Sequence, residues 1–229
     1  MRHVVDSGLA VGAAIGVLSI GLLGCSLDPA TRDKPSVKYD PASGRLKELA
    51  FDATGNGRND SIGFMDGTQV RRIEVDEDED GKVDRWEFYG ENRRLEHMGY
   101  SRRHDGVLDA MAFYGEDGEV ERTEISTRGD GRFDRVEFYR FGSLARVEED
   151  TNGDGRVDKW ETYAVNAHST PGESRPIVSA SFDDAFRGTP TRRLVYRPDG
   201  SDVLRVEVDP DGDGVFQEST AARRVRPEN

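Results

Sequence analysis

Residues 76–90 read DEDEDGKVDRWEFYG, in which an acidic turn leads directly into alternating polar and aromatic residues. The acidic turn is repeated along the chain. Its Asp-Gly or Asn-Gly pair recurs at intervals of 24, 25, 25 and 24 residues, and a further copy follows after a longer interval. The glycines of these pairs are Gly57, Gly81, Gly106, Gly131, Gly155 and Gly214. A fixed period of this length indicates a repeat architecture, in which each unit packs on its neighbours.

The residues on either side of each acidic turn alternate between apolar and polar. Ile73 and Val75 precede the turn at residue 76, and Trp86 and Phe88 follow it. Alternation with a period of two, bounded by Gly and Asp, predicts short strands. The sequence therefore predicts an all-β fold, a tandem repeat of short antiparallel hairpins of 24–25 residues joined by Asp/Gly-rich loops. The number of strands does not decide between an open meander and a closed barrel or propeller.

The N-terminal segment carries a second pattern. An apolar run over residues 8–23 ends in Leu22-Leu23-Gly24-Cys25. The run is too short and too rich in Gly and Ala for a membrane span, which needs ~20 strongly apolar residues, and it is typical of a signal peptide. Its ending resembles the lipobox of bacterial lipoproteins, and the alternative is an ordinary signal peptide with a chance cysteine.

The lipobox resemblance implies a location. Residues 1–24 would be removed, and Cys25 would be acylated and would anchor the chain to a membrane of the cell envelope. Ser26, which follows the cysteine, favours the outer membrane if the cell has one.

The rest of the chain divides by composition. Residues 25–36 contain two prolines and mixed charges and are predicted to form the lipidated N-terminus and a flexible linker. Residues 37–220 form the predicted β-repeat domain. Within it, residues 164–190 break the period with Ser, Thr, Pro and Asn, which predicts an inserted loop. Residues 221–229 are predicted to be a polar tail.

Composition narrows the classes of partner. Apolar and charged residues each make up 34% of the chain, which leaves little material for a thick core. The net charge of -13 argues against nucleic acid, because phosphate binding needs a surplus of Lys and Arg. It favours cations. Cys25 is the single cysteine, so disulfides cannot brace the fold.

The two most complete acidic loops resemble the twelve-residue calcium loop of EF-hand proteins. Each has oxygen-bearing side chains at positions one, three, five, nine and twelve, with glycine at six and an aliphatic residue at eight. The resemblance implies two Ca²⁺ sites, in which the backbone carbonyl of position seven adds an oxygen. The first would use Asp76, Asp78, Asp80, the carbonyl of Lys82, Asp84 and Glu87. The second would use Asp150, Asn152, Asp154, the carbonyl of Arg156, Asp158 and Glu161.

The other loops match this pattern less well. The last loop keeps only the first three ligands, which are Asp209, Asp211 and Asp213. The loop that begins at Asp52 has Gly63 at position twelve, which supplies no ligand. In the two middle loops Arg103 and Arg128 stand at position three, where a guanidinium can replace the cation by bridging two aspartates of its loop. The alternative for all these loops is that Asp-Gly turns are turns and nothing more.

Complete EF-hands do not fit the spacing. Only residues 88–100 separate the first full loop from the next, and this stretch contains two glycines. Two helices cannot fit there, since globular helices run roughly 8 to 20 residues. The loops are therefore expected to lie between strands, which argues against a calcium sensor that opens a pair of helices.

Three functions remain. The sequence favours a non-enzymatic, envelope-anchored, calcium-binding repeat lipoprotein that acts as a scaffold or as a binding surface for a protein or envelope partner. The alternative is a metal-independent array that binds proteins through its acidic loops. A carboxylate-based hydrolase has the least support, because the sequence singles out no pair of carboxylates. The histidines stand neither in a zinc spacing nor beside a nucleophile motif, and they are His3, His97, His104 and His168.

Overall fold

The computed structural model describes residues 34–219, and within them the chain forms fifteen β-strands and no helix. Accordingly, this part of the chain contains no helix long and apolar enough to cross a membrane. The predicted signal peptide, Cys25 and the tail lie outside the described residues. The strands are β1 (Ser36–Tyr39), β2 (Leu46–Phe51), β3 (Ser61–Asp66), β4 (Gln69–Val75), β5 (Arg85–Tyr89), β6 (Leu95–Tyr100), β7 (Ala110–Tyr114), β8 (Val120–Ile125), β9 (Arg135–Arg140), β10 (Ser143–Glu149), β11 (Lys159–Tyr163), β12 (Ile177–Phe182), β13 (Arg192–Tyr196), β14 (Val203–Val208) and β15 (Gln217–Glu218).

All the strands belong to one sheet, and every strand pairs antiparallel with its neighbours in sequence. Strands β1 and β15 form the two edges of this sheet and do not pair with each other. The all-β prediction is confirmed, and the open meander is the architecture that the chain adopts. Because each hairpin needs only local pairing, the sheet extends by adding one hairpin at a time.

The connections between strands lie at two opposite ends. Consecutive strands run in opposite directions, so every second connection falls on the same side of the sheet. Tight turns, such as the one that contains Gly67 between β3 and β4, lie on one side, which we call the turn edge. The polar loops that follow even-numbered strands lie on the other side, the loop edge. These loops begin at Asp52, Asp76, Ser101, Ser126, Asp150, Asp183 and Asp209.

The prediction of an inserted loop over residues 164–190 is wrong for the second half of that range. Strand β12 lies there and pairs with β11 and β13. Its sequence, IVSASF, alternates as a strand should, but the Pro and Ser around it hid the signal. The insertion is confined to residues 164–176 on the turn edge. It folds back on the β9–β10 turn, where Gly172 N–H donates to the carbonyl of Gly142 at 2.9 Å.

One face of the sheet buries small side chains beneath long ones. Val147 is fully buried and lies in register between Glu137 and Glu161. Tyr139 and Arg135 each donate a hydrogen bond to Glu137 at 2.8 Å, which holds the long side chains together above the small ones. Burial, with Glu137 nearby, raises the pKa of Tyr139. The buried apolar residues are Val75, Ala110, Ala112, Val147 and Ala180, none more than 8% exposed.

The opposite face carries aromatic rings paired with arginines. Arg122 lies opposite Phe113 on the neighbouring strand, and its guanidinium carbon is 4.0 Å from the ring centroid. The same guanidinium forms a salt bridge with Glu124 at 3.1 Å. The pairing recurs, at 4.2 Å, in Arg72 with Phe64 and in Arg146 with Phe138. Cation–π pairs of this kind shield rings without a second layer of protein, so a chain poor in apolar residues can still form a broad sheet.

Candidate metal sites

The loop edge has a common internal geometry. We number the loop residues from one to nine, so that the Asp76 loop runs from Asp76 at position one to Asp84 at position nine. The side chain at position one, a carboxylate in five loops and a hydroxyl in two, accepts hydrogen bonds from backbone N–H groups later in the loop. In the Asp150 loop its two oxygens accept from Gly153 at 2.6 Å and from Gly155 at 2.7 Å. These bonds curl the loop around its first side chain.

Positions four and six both have a left-handed backbone. Position six is glycine in every loop, with φ between 80° and 96°. Position four is glycine in four loops and a larger residue in three, which are Glu79 (φ 60°), His104 (φ 55°) and Phe186 (φ 53°). This conformation costs a residue with a Cβ about 1 kcal/mol or more of conformational free energy. These three side chains therefore occupy a position that glycine fills without strain.

In five of the seven described loops, position nine is a buried aspartate that closes the loop. Asp158 is 5% exposed and accepts hydrogen bonds from the Thr151 N–H at 3.1 Å and from the Thr151 hydroxyl at 2.7 Å. Asp84 is 3% exposed and accepts one from the Glu77 N–H at 2.7 Å. The same buried residue recurs as Asp60, Asp109 and Asp134. The calcium-loop pattern predicts that the carboxylate at position nine binds a metal. In the structure this carboxylate accepts hydrogen bonds from backbone N–H groups of its own loop.

The loop that begins at Asp183 was missed by the sequence pattern. Asp183 is 2% exposed and accepts hydrogen bonds from the N–H groups of Ala185, Arg187, Gly188 and Thr189. Its own N–H donates to the Asp158 carbonyl at 2.8 Å, as Ser101 N–H does to Asp84 at 2.7 Å. The loop has no Asp-Gly pair, but Gly188 stands five residues after Asp183, which is the spacing of position six to position one.

The predicted twelfth ligands, Glu87 and Glu161, do not reach the loops. Both lie on the face of the sheet, where Glu87 contacts Arg85, and Glu161 accepts a hydrogen bond from Tyr163 at 2.9 Å. In an EF-hand the twelfth residue reaches back because a helix follows the loop. Here a strand follows, and three residues of strand carry the side chain about 10 Å from position nine.

The Asp76 loop brings three carboxylates together. Carboxylate oxygens of Asp76, Asp78 and Asp80 all lie within 4.8 Å of one another. Asp76 Oδ2 accepts the N–H of Gly81 at 2.9 Å, but Asp76 Oδ1 is buried and has no hydrogen-bond partner. Lys82, predicted to offer its carbonyl, places its ammonium 2.5 Å from Asp80 Oδ2. This hydrogen bond is the main reason that the pKa of Asp80 is lowered.

The other two predicted sites differ from each other. Carboxylate oxygens of Asp209, Asp211 and Asp213 also lie within 4.8 Å of one another. In the Asp150 loop the polar groups satisfy one another instead. Asn152 accepts the Asp154 N–H at 2.8 Å, and Asp154 accepts the N–H of Arg156, the predicted carbonyl donor, at 2.9 Å. The Asp150 loop therefore holds its shape through its own hydrogen bonds.

The arginines of the middle loops mainly join neighbouring loops. Arg102, at position two, contacts Asp109 at 3.1 Å and donates to the carbonyl of Ser126 in the next loop at 2.6 Å. Arg128 donates to the carbonyl of Thr151 at 3.1 Å, and its nearest carboxylate, that of Asp134, is 3.8 Å away. Arg103 pairs with Asp105 at 3.1 Å and also reaches the carbonyl of Gly129. The predicted bridge between two aspartates of one loop is wrong, because the guanidiniums extend toward the following loop.

Side chains at position four reach back toward the preceding loop. Glu79 forms a salt bridge with Arg58 of the Asp52 loop at 2.7 Å. His104 places its Nδ1 3.0 Å from Oδ1 of Asp84. The calcium-loop pattern did not single out His104, because its partner belongs to another loop.

Comparisons with known proteins add little. No protein-family model matches the chain, and no curated protein matches it. A search of solved structures gives a likeness to the structure described as "Crystal structure of GtfA/B complex", with a TM-score of 0.34 and 15% sequence identity. The likeness covers 47% of this chain and 20% of that chain. A TM-score this low carries no argument about function.

Proposed function

We propose that the mature chain is a non-enzymatic lipoprotein of the cell envelope, anchored through Cys25, whose sheet serves as a scaffold or binding surface and whose acidic loops bind Ca²⁺. The observation that carries the calcium site is the buried Asp76 Oδ1, which has no hydrogen-bond partner and lies beside the carboxylates of Asp78 and Asp80. A buried carboxylate oxygen without a hydrogen-bond partner costs about 1–3 kcal/mol unless a cation or a donor compensates it.

The donor set of the Asp76 loop suits a hard cation. Ca²⁺ takes six to eight oxygen ligands in a flexible geometry, and carboxylates are its preferred side-chain ligands. Three carboxylates leave the remaining positions to backbone carbonyls and water. Because the twelfth ligand is absent, we expect affinity in the range of extracellular modules, with Kd ~10⁻⁴ to 10⁻³ M. The Asp209 loop is the second candidate, and the self-satisfied Asp150 loop is the third.

The dimensions of the sheet suit a scaffold. Fifteen strands at a spacing of about 4.8 Å give a sheet about 67 Å long. Strand β1 begins at Ser36, eleven residues after Cys25, so the linker can hold the sheet at most about 40 Å from the lipid. An extended, acidic surface at this distance favours binding to an envelope or extracellular partner.

The test compares two aspartates at position five. Asp80 and Asp105 each accept the N–H of position seven, at 2.9 Å from Lys82 and 3.0 Å from Val107, but only Asp80 belongs to a carboxylate cluster. We expect Ca²⁺ to stabilise the parent chain by about 1.4 kcal/mol at ten times Kd. Asp80→Ala should weaken Ca²⁺ binding at least tenfold in calorimetric titration, and Asp105→Ala should leave it unchanged.

Chelator provides the control for that comparison. In EDTA both variants lose the same type of local hydrogen bond, so their thermal unfolding should differ little. Equal calcium responses of the parent chain, Asp80→Ala and Asp105→Ala would eliminate the Asp76 loop as a calcium site.

A metal-independent interaction array remains the second candidate function. The observation in its favour is the set of arginine contacts between loops, such as Arg102 to Ser126, which join the loop edge without any cation. That function predicts the same partner binding and the same thermal stability in calcium and in chelator. The proposed calcium site predicts a difference.

A further inference from the structure

We infer a second kind of metal site on the loop edge, formed between two neighbouring loops by Asp78, Asp84 and His104 and suited to a transition metal of the Zn²⁺ type. A carboxylate oxygen from each aspartate and a ring nitrogen of the histidine lie within 4.8 Å of one another. The site does not depend on the proposed Ca²⁺ site, although Asp78 belongs to both groups.

The buried carboxylate of Asp84 points to a ligand. The residue is 3% exposed, and its Oδ2 accepts hydrogen bonds from the N–H groups of Glu77 and Asp78 at 2.7 and 3.3 Å. Its Oδ1 is buried and accepts no hydrogen bond. Although the His104 Nδ1 lies 3.0 Å from this oxygen, the two atoms do not have the geometry of a hydrogen bond. Two polar atoms at this separation, not bonded to each other, are arranged as two ligands of one cation are.

The donor set decides the class of metal. Zn²⁺ binds imidazole nitrogen and carboxylate oxygen at about 2.0–2.2 Å, which separates neighbouring tetrahedral ligands by about 3.3 Å. Asp84 and His104 already have a separation close to this value. Asp78 is exposed, and its carboxylate accepts only the Asp80 N–H, at 3.2 Å, so a small side-chain rotation completes the set. Water can supply the fourth ligand. Ca²⁺ prefers oxygen ligands throughout, so the imidazole distinguishes this site from the calcium cluster.

The backbone conformation of His104 directs its side chain toward the preceding loop, which contains Asp84. The residue stands at position four of its loop with φ 55°, and position four faces the preceding loop. Four of the seven described loops have glycine at this position, which shows that the loop forms without a side chain there. Replacement of His104 by glycine therefore removes the imidazole and relieves the backbone.

The experiment uses the full chain, freed of metal by chelator and titrated calorimetrically with ZnCl₂. We expect one Zn²⁺ per chain at this site, with binding weakened at least tenfold in His104→Gly. His104→Asn, which tolerates a positive φ but lacks the imidazole, should show the same loss. His168→Ala, a control at an exposed histidine on the turn edge, should bind as the parent does. Unchanged far-UV circular dichroism would show that the variants remain folded.

Two outcomes would overturn the assignment. One is a parent chain that binds no Zn²⁺, and the other is equal Zn²⁺ affinity in the parent and in His104→Gly, which would place the ion on surface carboxylates alone. The Ca²⁺ affinity of His104→Gly should stay within twofold of the parent value, because no imidazole contributes to that cluster. Failure of the zinc site and failure of the calcium site are therefore seen in separate titrations.

Discussion

Replacement of Asp158 by alanine tests whether position nine closes the loop or serves a cation. The Asp158 carboxylate accepts hydrogen bonds from the Thr151 N–H and hydroxyl and from the Asn152 N–H, at 3.1, 2.7 and 3.3 Å. The donors regain some water after the substitution, so each bond contributes about 1 kcal/mol net. Asp158→Ala should therefore lower the free energy of unfolding by about 3 kcal/mol.

Urea unfolding followed by tryptophan fluorescence suits this measurement, because Trp160 lies two residues away on β11. The loss should be the same in calcium and in chelator, since the carboxylate is engaged by the loop itself. Asp154→Ala is the matched control, because Asp154 is exposed, and in chelator it should cost less than about 1 kcal/mol. A loss for Asp158→Ala that appears only with calcium would refute the structural role and make Asp158 a metal ligand.

Three further predictions concern the anchor, the core and acid stability. Cys25→Ser should abolish fatty-acid labelling and membrane association, and unchanged labelling would exclude the lipobox. Val147→Ala should lower the free energy of unfolding by about 2 kcal/mol in urea, because it removes two fully buried methyl groups; no change would mean that its neighbours close the space. Burial alone raises the pKa of Asp183, but hydrogen bonds from Gly188 and Ala185 outweigh it, so the pKa is lowered. The ionised Asp183 carboxylate therefore stabilises the fold above about pH 4, and this stabilisation is lost as the pH falls through the lowered pKa. Asp183→Asn should flatten the pH dependence of the melting temperature in that range.

The strands were predictable because each one carries its own signal. Alternation such as that of Ile73 and Val75, with glycine at the turns, fixes the hairpins from residues close in sequence. Whether the sheet closes depends instead on β1 and β15 meeting, and no single hairpin encodes that contact. The second half of the predicted insertion was wrong for two reasons. Pro and Ser surround the alternating residues of β12, and the Asp183 loop lacks an Asp-Gly pair, although its aspartate and glycine keep the common spacing.

The candidate sites were predictable only in part, because the calcium-loop pattern assumes that a helix follows the loop. With a helix Glu87 would return to the loop, but with a strand it lies on the sheet face beside Arg85. The pairing of Asp84 with His104 was beyond the pattern for another reason. The two residues lie twenty apart in sequence and in different loops, and only the pairing of β5 with β6 brings them together.

The topology also limits how far any cation can act. Each strand pairs only with its sequence neighbours, so stabilisation at one loop decays along the array, as in other repeat proteins. The end of such an array frays most, and β15 is the shortest strand, with only two residues paired to β14. The Asp209 loop, which joins these two strands, contains the second carboxylate cluster.

A cation in the Asp209 loop should therefore slow local opening at the C-terminal end more than global unfolding. Hydrogen exchange tests this directly, because the Ser219 N–H donates to the Val206 carbonyl at 2.8 Å and reports pairing beyond β15. Ca²⁺ should slow exchange of this amide at least severalfold, and Asp211→Ala should remove the effect while leaving the amides of the central strands unchanged. Equal slowing along the whole sheet would contradict local action, because it would require the array to open only as a single cooperative unit.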